Sequence, residues 1–154
     1  MIKVLIVDDS QTTRTYLRHV IESDPSLVLV GEAKNGHEAV LQTAKRRPDA
    51  VIMDIQMPGM DGYEATRQIM AQSPVPIIVH STLVPPSQSA NIFAAMQAGA
   101  VAVAEKPPGI GHPESDFLTR KLLKTVKLMS EVKVVQRRKP GEKTKAAPPA
   151  EPAA

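Results

Sequence analysis

The chain has 154 residues with no cysteine, enough for one domain that buries a core without disulfides and suits a reducing compartment. No apolar run approaches the length of a membrane span, and the N-terminus opens on a strand pattern with no signal peptide, so a soluble cytoplasmic protein is expected. The net charge of +3 lies in residues 136–154, where Arg137, Arg138, Lys139, Lys143 and Lys145 face only Glu142 and Glu151; residues 1–135 are neutral, and no specific nucleic-acid binding is expected.

Apolar runs of strand type alternate with helical patterns along residues 1–135. The first strand, Lys3–Val7, runs straight into Asp8-Asp9-Ser10. A helix near 11–23 follows, with Tyr16, Leu17, Val20 and Ile21 on one face and Ser10 as the better cap than Asp8. The strand Leu27–Ala33 and a helix near 36–47 lead to the third strand, Ala50–Met53. That strand ends in Asp54-Ile55-Gln56-Met57-Pro58-Gly59-Met60-Asp61-Gly62, a carboxylate ahead of a Pro/Gly turn, which reads as exposed at the rim of a sheet.

After a helix near 62–72, the strand Ile77–His80 leads into Ser81-Thr82, and after a helix near 87–98 the stretch Val101–Ala104 leads into Glu105-Lys106-Pro107. A final helix near 115–135 carries Leu118, Leu122, Val126 and Met129 on one face. Such alternation predicts a doubly wound, five-stranded parallel sheet with right-handed crossovers and ligands at the carboxyl ends of the strands. From residue 136 the composition turns to Lys, Arg, Pro, Ala and Glu, too polar to offset the entropy of ordering, and 136–154 reads as a disordered linker or tail.

If the strands share one sheet, Asp8, Asp9 and Asp54 converge at one edge. Close like charges are costly unless a cation relieves them, so the cluster asks for a divalent metal. Lys106 supplies a counter-charge and Ser81 a hydroxyl, a set suited to phosphoryl chemistry. In order and spacing, Asp8-Asp9, Asp54, Ser81 and Lys106-Pro107 resemble the receiver domains of two-component response regulators, over about residues 1–135.

The resemblance implies the flavodoxin-like (βα)5 receiver fold and phosphorylation of Asp54 by a sensor histidine kinase. It also implies Mg²⁺ held by Asp8, Asp9, Asp54 and the backbone carbonyl of Gln56. Lys106 would then stabilise the transferred group, its direction fixed by a cis bond to Pro107, and Ser81 or neighbouring Thr82 would donate a hydroxyl and move when the group arrives. Receivers often carry Tyr or Phe three residues before the lysine; here that position is Val103, which cannot make the same rotamer change. His19, His37, His80 and His112 share no metal spacing and read as surface or loop residues.

The loop Pro107-Pro108-Gly109-Ile110-Gly111-His112-Pro113 and the basic end of the last helix resemble the regulatory domain of chemotaxis-type protein-glutamate methylesterases. There the receiver blocks a C-terminal serine hydrolase domain until phosphorylated. No Gly-x-Ser-x-Gly turn occurs in this sequence, so the expectation is a receiver with its linker. The alternative is a free-standing receiver acting by phosphorylation-dependent protein binding. A flavodoxin-like cofactor-binding domain shares the topology, but Asp8-Asp9 would repel a cofactor phosphate.

Overall fold

The computed structural model describes residues 1–55, 60, 62–81, 94–106 and 113–134. The elements are β1 (Ile2–Val7), α1 (Gln11–Glu22), β2 (Leu27–Ala33), α2 (Gly36–Arg46), β3 (Ala50–Asp54), α3 (Gly62–Gln72), β4 (Ile77–Ser81), helical residues 94–98 (α4), β5 (Ala102–Glu105) and α5 (Pro113–Met129). The five strands form one sheet in the order β2-β1-β3-β4-β5, and every neighbouring pair is parallel. This is the doubly wound parallel sheet that the alternating pattern predicts, in the flavodoxin-like strand order that the family resemblance implies.

Two apolar layers hold the helices to the sheet because successive strand residues point to opposite faces. Leu5, Val7, Val51, Met53, Ile77 and Val79 face Ala39 of α2, Ala65 and Ile69 of α3, and Ala95 of α4. Val4, Ile6, Ala50, Ile52 and Ile78 face Leu17 and Ile21 of α1 and Leu122 and Val126 of α5. Both periodic faces read from the sequence are therefore core faces; Tyr16 and Met129 pack at the margin of the second layer. A Tyr16 hydroxyl to Thr119 hydroxyl bond ties α1 to α5. Burying each aliphatic side chain of these layers contributes about 1.5–3 kcal/mol, so the central strands carry most of the stabilisation.

The helices begin where side chains satisfy their first amides. Ser10 accepts from Thr13 N at 3.2 Å and caps α1, while Asn35 accepts from Glu38 N at 2.8 Å and caps α2. Arg47, at φ 51°, closes α2 in the left-handed conformation. The last helix differs from its expected limits: it spans Pro113–Met129, and residues 130–134 are non-helical, with Val134 packed on the layer that α5 does not cover. Val132 and Val134 lie two residues apart, which no helical face repeats, and Val132 is exposed. The α4 region before residue 94, the loop 107–112 and the tail from 135 lie outside the described residues.

Gly62 starts α3 directly beneath the end of β3. A Cβ there would lie 2.4 Å from the Asp54 carbonyl oxygen and 2.7 Å from Ile55 Cα, both of them backbone atoms that cannot swing away. Gly62→Ala should therefore cost about 1–3 kcal/mol through overpacking, read as a fall in melting temperature; unchanged stability would mean that the β3–α3 approach is looser than it is here.

Candidate functional site

The strand order reverses between β1 and β3, since β1 passes to β2 on one side and to β3 on the other. A crevice opens at such a reversal, outside the carboxyl ends of the strands. Asp8 and Asp9 follow β1 and Asp54 ends β3, so the three carboxylates flank this point, with one oxygen from each lying within 4.8 Å of the others. The rim is less open than the sequence suggests: Asp9 is exposed, but Asp8 and Asp54 are buried, at 1% and 5% exposure. Both lie on the face that α1 and α5 cover.

Lys106, just past β5, reaches back across β4 into the cluster. Its ammonium lies 3.1 Å from Asp8 Oδ2 and 3.3 Å from Asp54 Oδ1. Burial alone would lower the lysine's pKa, but the Asp54 and Asp8 carboxylates overcome that and hold it above its ordinary value. Its own amide donates to the Ser81 carbonyl at 2.7 Å, which fixes the start of the lysine against the end of β4. Ser81 is buried at that strand end, opposite Glu105 in register.

Asp8 is oriented from several sides. Oδ1 accepts from Ser10 N at 2.9 Å, and the peptide N–H donates to Ala33 O at 3.0 Å. Oδ2 has the Lys106 ammonium 3.1 Å away and no other partner among the described residues. A hard cation takes oxygen ligands and keeps several waters, so two buried carboxylates beside an exposed one fit such an ion. Gln56, whose backbone carbonyl the family resemblance adds to the set, lies outside the described residues, as do Thr82, His112 and the Lys106–Pro107 bond.

Val103, at the position where receivers often carry an aromatic ring, is 45% exposed on the edge strand β5. His19 and His37 are exposed, as expected of surface histidines. His80 is not: it is 1% exposed, pairs in register with Asp54 and Ala104, and neither ring nitrogen has a hydrogen-bond partner among the described residues. Its position at the end of an apolar run signalled this, because a parallel strand covered on both faces buries every residue. Arg14 and Glu32 also escaped the sequence reading. Arg14 Nη1 donates to the Asp8 carbonyl at 2.7 Å, and nothing in the spacing of Glu32 points to this site.

A family model, the response regulator receiver domain, matches residues 4–112. The chain belongs to that family. Within it, the response regulator domain of Thermotoga maritima CheB is similar at 34% identity and a TM-score of 0.77, over 86% of this chain and 98% of that one. A protein-glutamate methylesterase/protein-glutamine glutaminase of Nitrosospira multiformis is 44% identical over 137 residues, 89% of this chain but 39% of that protein, so the chain spans about two fifths of such a relative. The receiver domain of sensor histidine kinase PA1611 from Pseudomonas aeruginosa, solved with a magnesium ion coordinated in its active site cleft, is similar at 25% identity and a TM-score of 0.69 over 85% of this chain and 98% of that one. Among the described residues no helix is long and apolar enough to cross a membrane.

Burial, aided by the nearby Lys106 charge, pushes the His80 imidazole down to about 3 from 6.5. The unfolded chain takes up this proton near pH 6.5 and the folded chain does not, so the neutral imidazole's contribution is fully present above pH 6.5 and is lost as pH falls toward 3. His80→Val should remove that loss. Chemical denaturation at several pH values should show a stability difference in favour of the variant that grows below pH 6.5, by up to about 1.4 kcal/mol per pH unit. Parallel curves for the two proteins would show that His80 reaches a partner or solvent.

Proposed function

We propose that this chain is the phosphoacceptor regulatory domain of a chemotaxis-type methylesterase, with residues 1–135 as the receiver and 136–154 as a linker. The observation that carries this reading is the Lys106 ammonium lying between Asp8 and Asp54 at the point where the strand order reverses. An Asp54 carboxylate oxygen attacks the phosphorus of a sensor histidine kinase's phosphohistidine, or of a small acyl phosphate. The bond to the donor breaks as the new P–O bond forms, and the donor leaves with its electron pair. A carboxylate nucleophile gives up no proton in this step, so the transfer needs no base.

Asp8, Asp9 and Asp54, with the Gln56 carbonyl, would hold Mg²⁺, which neutralises charge on the phosphoryl oxygens when bound. Lys106 serves the same end from the other side, since its ammonium already sits at Asp54 Oδ1 and its raised pKa keeps it charged. Ser81, at the end of the adjacent strand, donates its hydroxyl to the phosphoryl group, and its shift toward that group is the switching movement. With Val103 in place of an aromatic ring, the β4 end carries the change without a ring flip. Because His80 precedes Ser81 and faces the opposite layer, movement of that strand end is felt in both apolar layers.

The output is regulation of a methylesterase domain through the surface formed by α4, β5 and α5. The similarity to methylesterases across this chain supports that, as do Val103, Met96 and Phe117, exposed apolar side chains on these three elements. The absence of cysteine supports a cytoplasmic location.

Acetyl phosphate with Mg²⁺ should add one labile phosphate, seen by intact mass and abolished by Asp54→Asn; an adduct that survives in the variant would move the site elsewhere. In a separate assay, the chain should inhibit an isolated methylesterase domain, and beryllofluoride, standing in for the phosphoryl group, should relieve the inhibition. If it neither binds nor inhibits in either state, the free-standing receiver becomes the function.

A further inference from the structure

Asp8 is held through its backbone by the neighbouring edge strand. Its N–H donates to Ala33 O at 3.0 Å, and its carbonyl accepts from Arg14 Nη1 at 2.7 Å. Arg14 is in turn paired through Nε with Glu32 Oε1 at 3.5 Å, and Glu32 is the residue before Ala33. Both polar groups of the Asp8 peptide therefore return to two consecutive residues of β2.

Glu32 is itself fixed from two further directions. Its other carboxylate oxygen accepts from Arg18 Nε at 2.7 Å, one turn along α1, and its backbone carbonyl accepts from Gln42 Nε2 of α2 at 2.8 Å. Gly31 makes room for Gln42, since a Cβ there would lie 2.5 Å from the Gln42 Oε1 atom. Glu32 is thus built into three elements, with its side chain 21% exposed.

Electrostatics makes this arrangement more than a scaffold. A guanidinium is a good clamp for a carbonyl because its donors are rigidly arranged. Beside a cluster that takes a divalent cation, however, its positive charge opposes that cation. A carboxylate on the far side of the guanidinium removes most of the opposition while leaving the hydrogen bond in place. With Arg18 included, the rim carries two positive charges and one negative.

We propose that Arg14 and Glu32 are positioning residues that clamp the Asp8 peptide to β2, and that Glu32 neutralises the clamp so that the acidic pocket retains its affinity for Mg²⁺. The inference rests on the reading of Asp8, Asp9 and Asp54 as the Mg²⁺ site. Charge sets the sign of each substitution. Glu32→Gln keeps an acceptor for Arg18 but raises the rim charge by one. Arg18→Gln lowers it by one without touching Asp8, and the double variant restores the original sum.

Mg²⁺ affinity, measured on the full chain from the shift in melting temperature with metal concentration, separates these cases. Glu32→Gln should weaken Mg²⁺ binding about tenfold at low ionic strength, and by clearly less in high salt, where screening removes the difference. Arg18→Gln should tighten binding, and Glu32→Gln/Arg18→Gln should return it close to the unaltered protein. Arg14→Ala should weaken binding although it removes a positive charge, because the hold on Asp8 goes with it.

A purely structural role for Glu32 would make the double variant no better than Glu32→Gln, and that result overturns the proposal, as does an Mg²⁺ affinity unchanged within about twofold in both single charge variants. Should Glu32→Gln fail to fold, tightening by Arg18→Gln supports the proposal, and its absence overturns it. Asp9→Asn serves as the control for the underlying site. If the unaltered protein shows no Mg²⁺ response, or Asp9→Asn does not weaken it, the metal-site reading falls and the clamp's role with it. If only the charge variants are silent, the clamp alone falls.

Discussion

The whole site depends on one ammonium group placed between two buried carboxylates. Asp8 and Asp54 offer oxygens within 4.8 Å of each other. At that distance two unit charges repel by roughly 3–4 kcal/mol at an effective dielectric of about 20. Lys106, at 3.1 and 3.3 Å, attracts both and offsets that repulsion where Asp8 and Asp54 are largely removed from water. The remaining acid, Asp9, is exposed and solvent screens it. Two buried acids and one exposed acid around a single ammonium make a compact charged pocket at this sheet edge.

The fold is what makes that placement possible. Lys106 directly follows the edge strand β5 and must cross β4 to reach β3 and β1. The Lys106 amide is fixed to the Ser81 carbonyl, which sets where that reach begins. The same bond joins the lysine to the strand end that carries the Ser81 hydroxyl. On the opposite side, β2 holds Asp8 through Ala33 and Arg14. The acidic pocket is therefore suspended between the two edges of the sheet, while the central strands supply the rigid floor.

His80 shows what the site costs elsewhere. A buried imidazole whose nitrogens have no hydrogen-bond partner among the described residues is a destabilising feature, on the order of 1–3 kcal/mol for each unmet group. It lies next in register to Asp54 and close enough to Lys106 for that charge to disfavour its protonation. As a lone residue among scattered histidines it reads as a surface group; as the last residue of a strand covered on both faces it has to be buried. Local type misled, and strand context carried the information. The last helix, expected to run to 135, ends at Met129 with its Leu118, Leu122, Val126 and Met129 face, and Val134 packs on the other layer.

The sequence by itself determined the alternation of strands and helices, the capping of α1 by Ser10, the core faces of α1 and α5, and the set Asp8, Asp9, Asp54, Ser81 and Lys106 at four strand ends. All of these are local: periodicity and strand-end position are properties of short segments, and a parallel sheet then brings its strand ends to one side. Only the tertiary structure decided that Asp8 and Asp54 are buried, that Lys106 reaches both, that His80 is enclosed, and that Arg14 and Glu32 support Asp8. Those facts depend on which strands become neighbours and how far a side chain extends across them. Residues distant in sequence acquire such relations only when the sheet has closed.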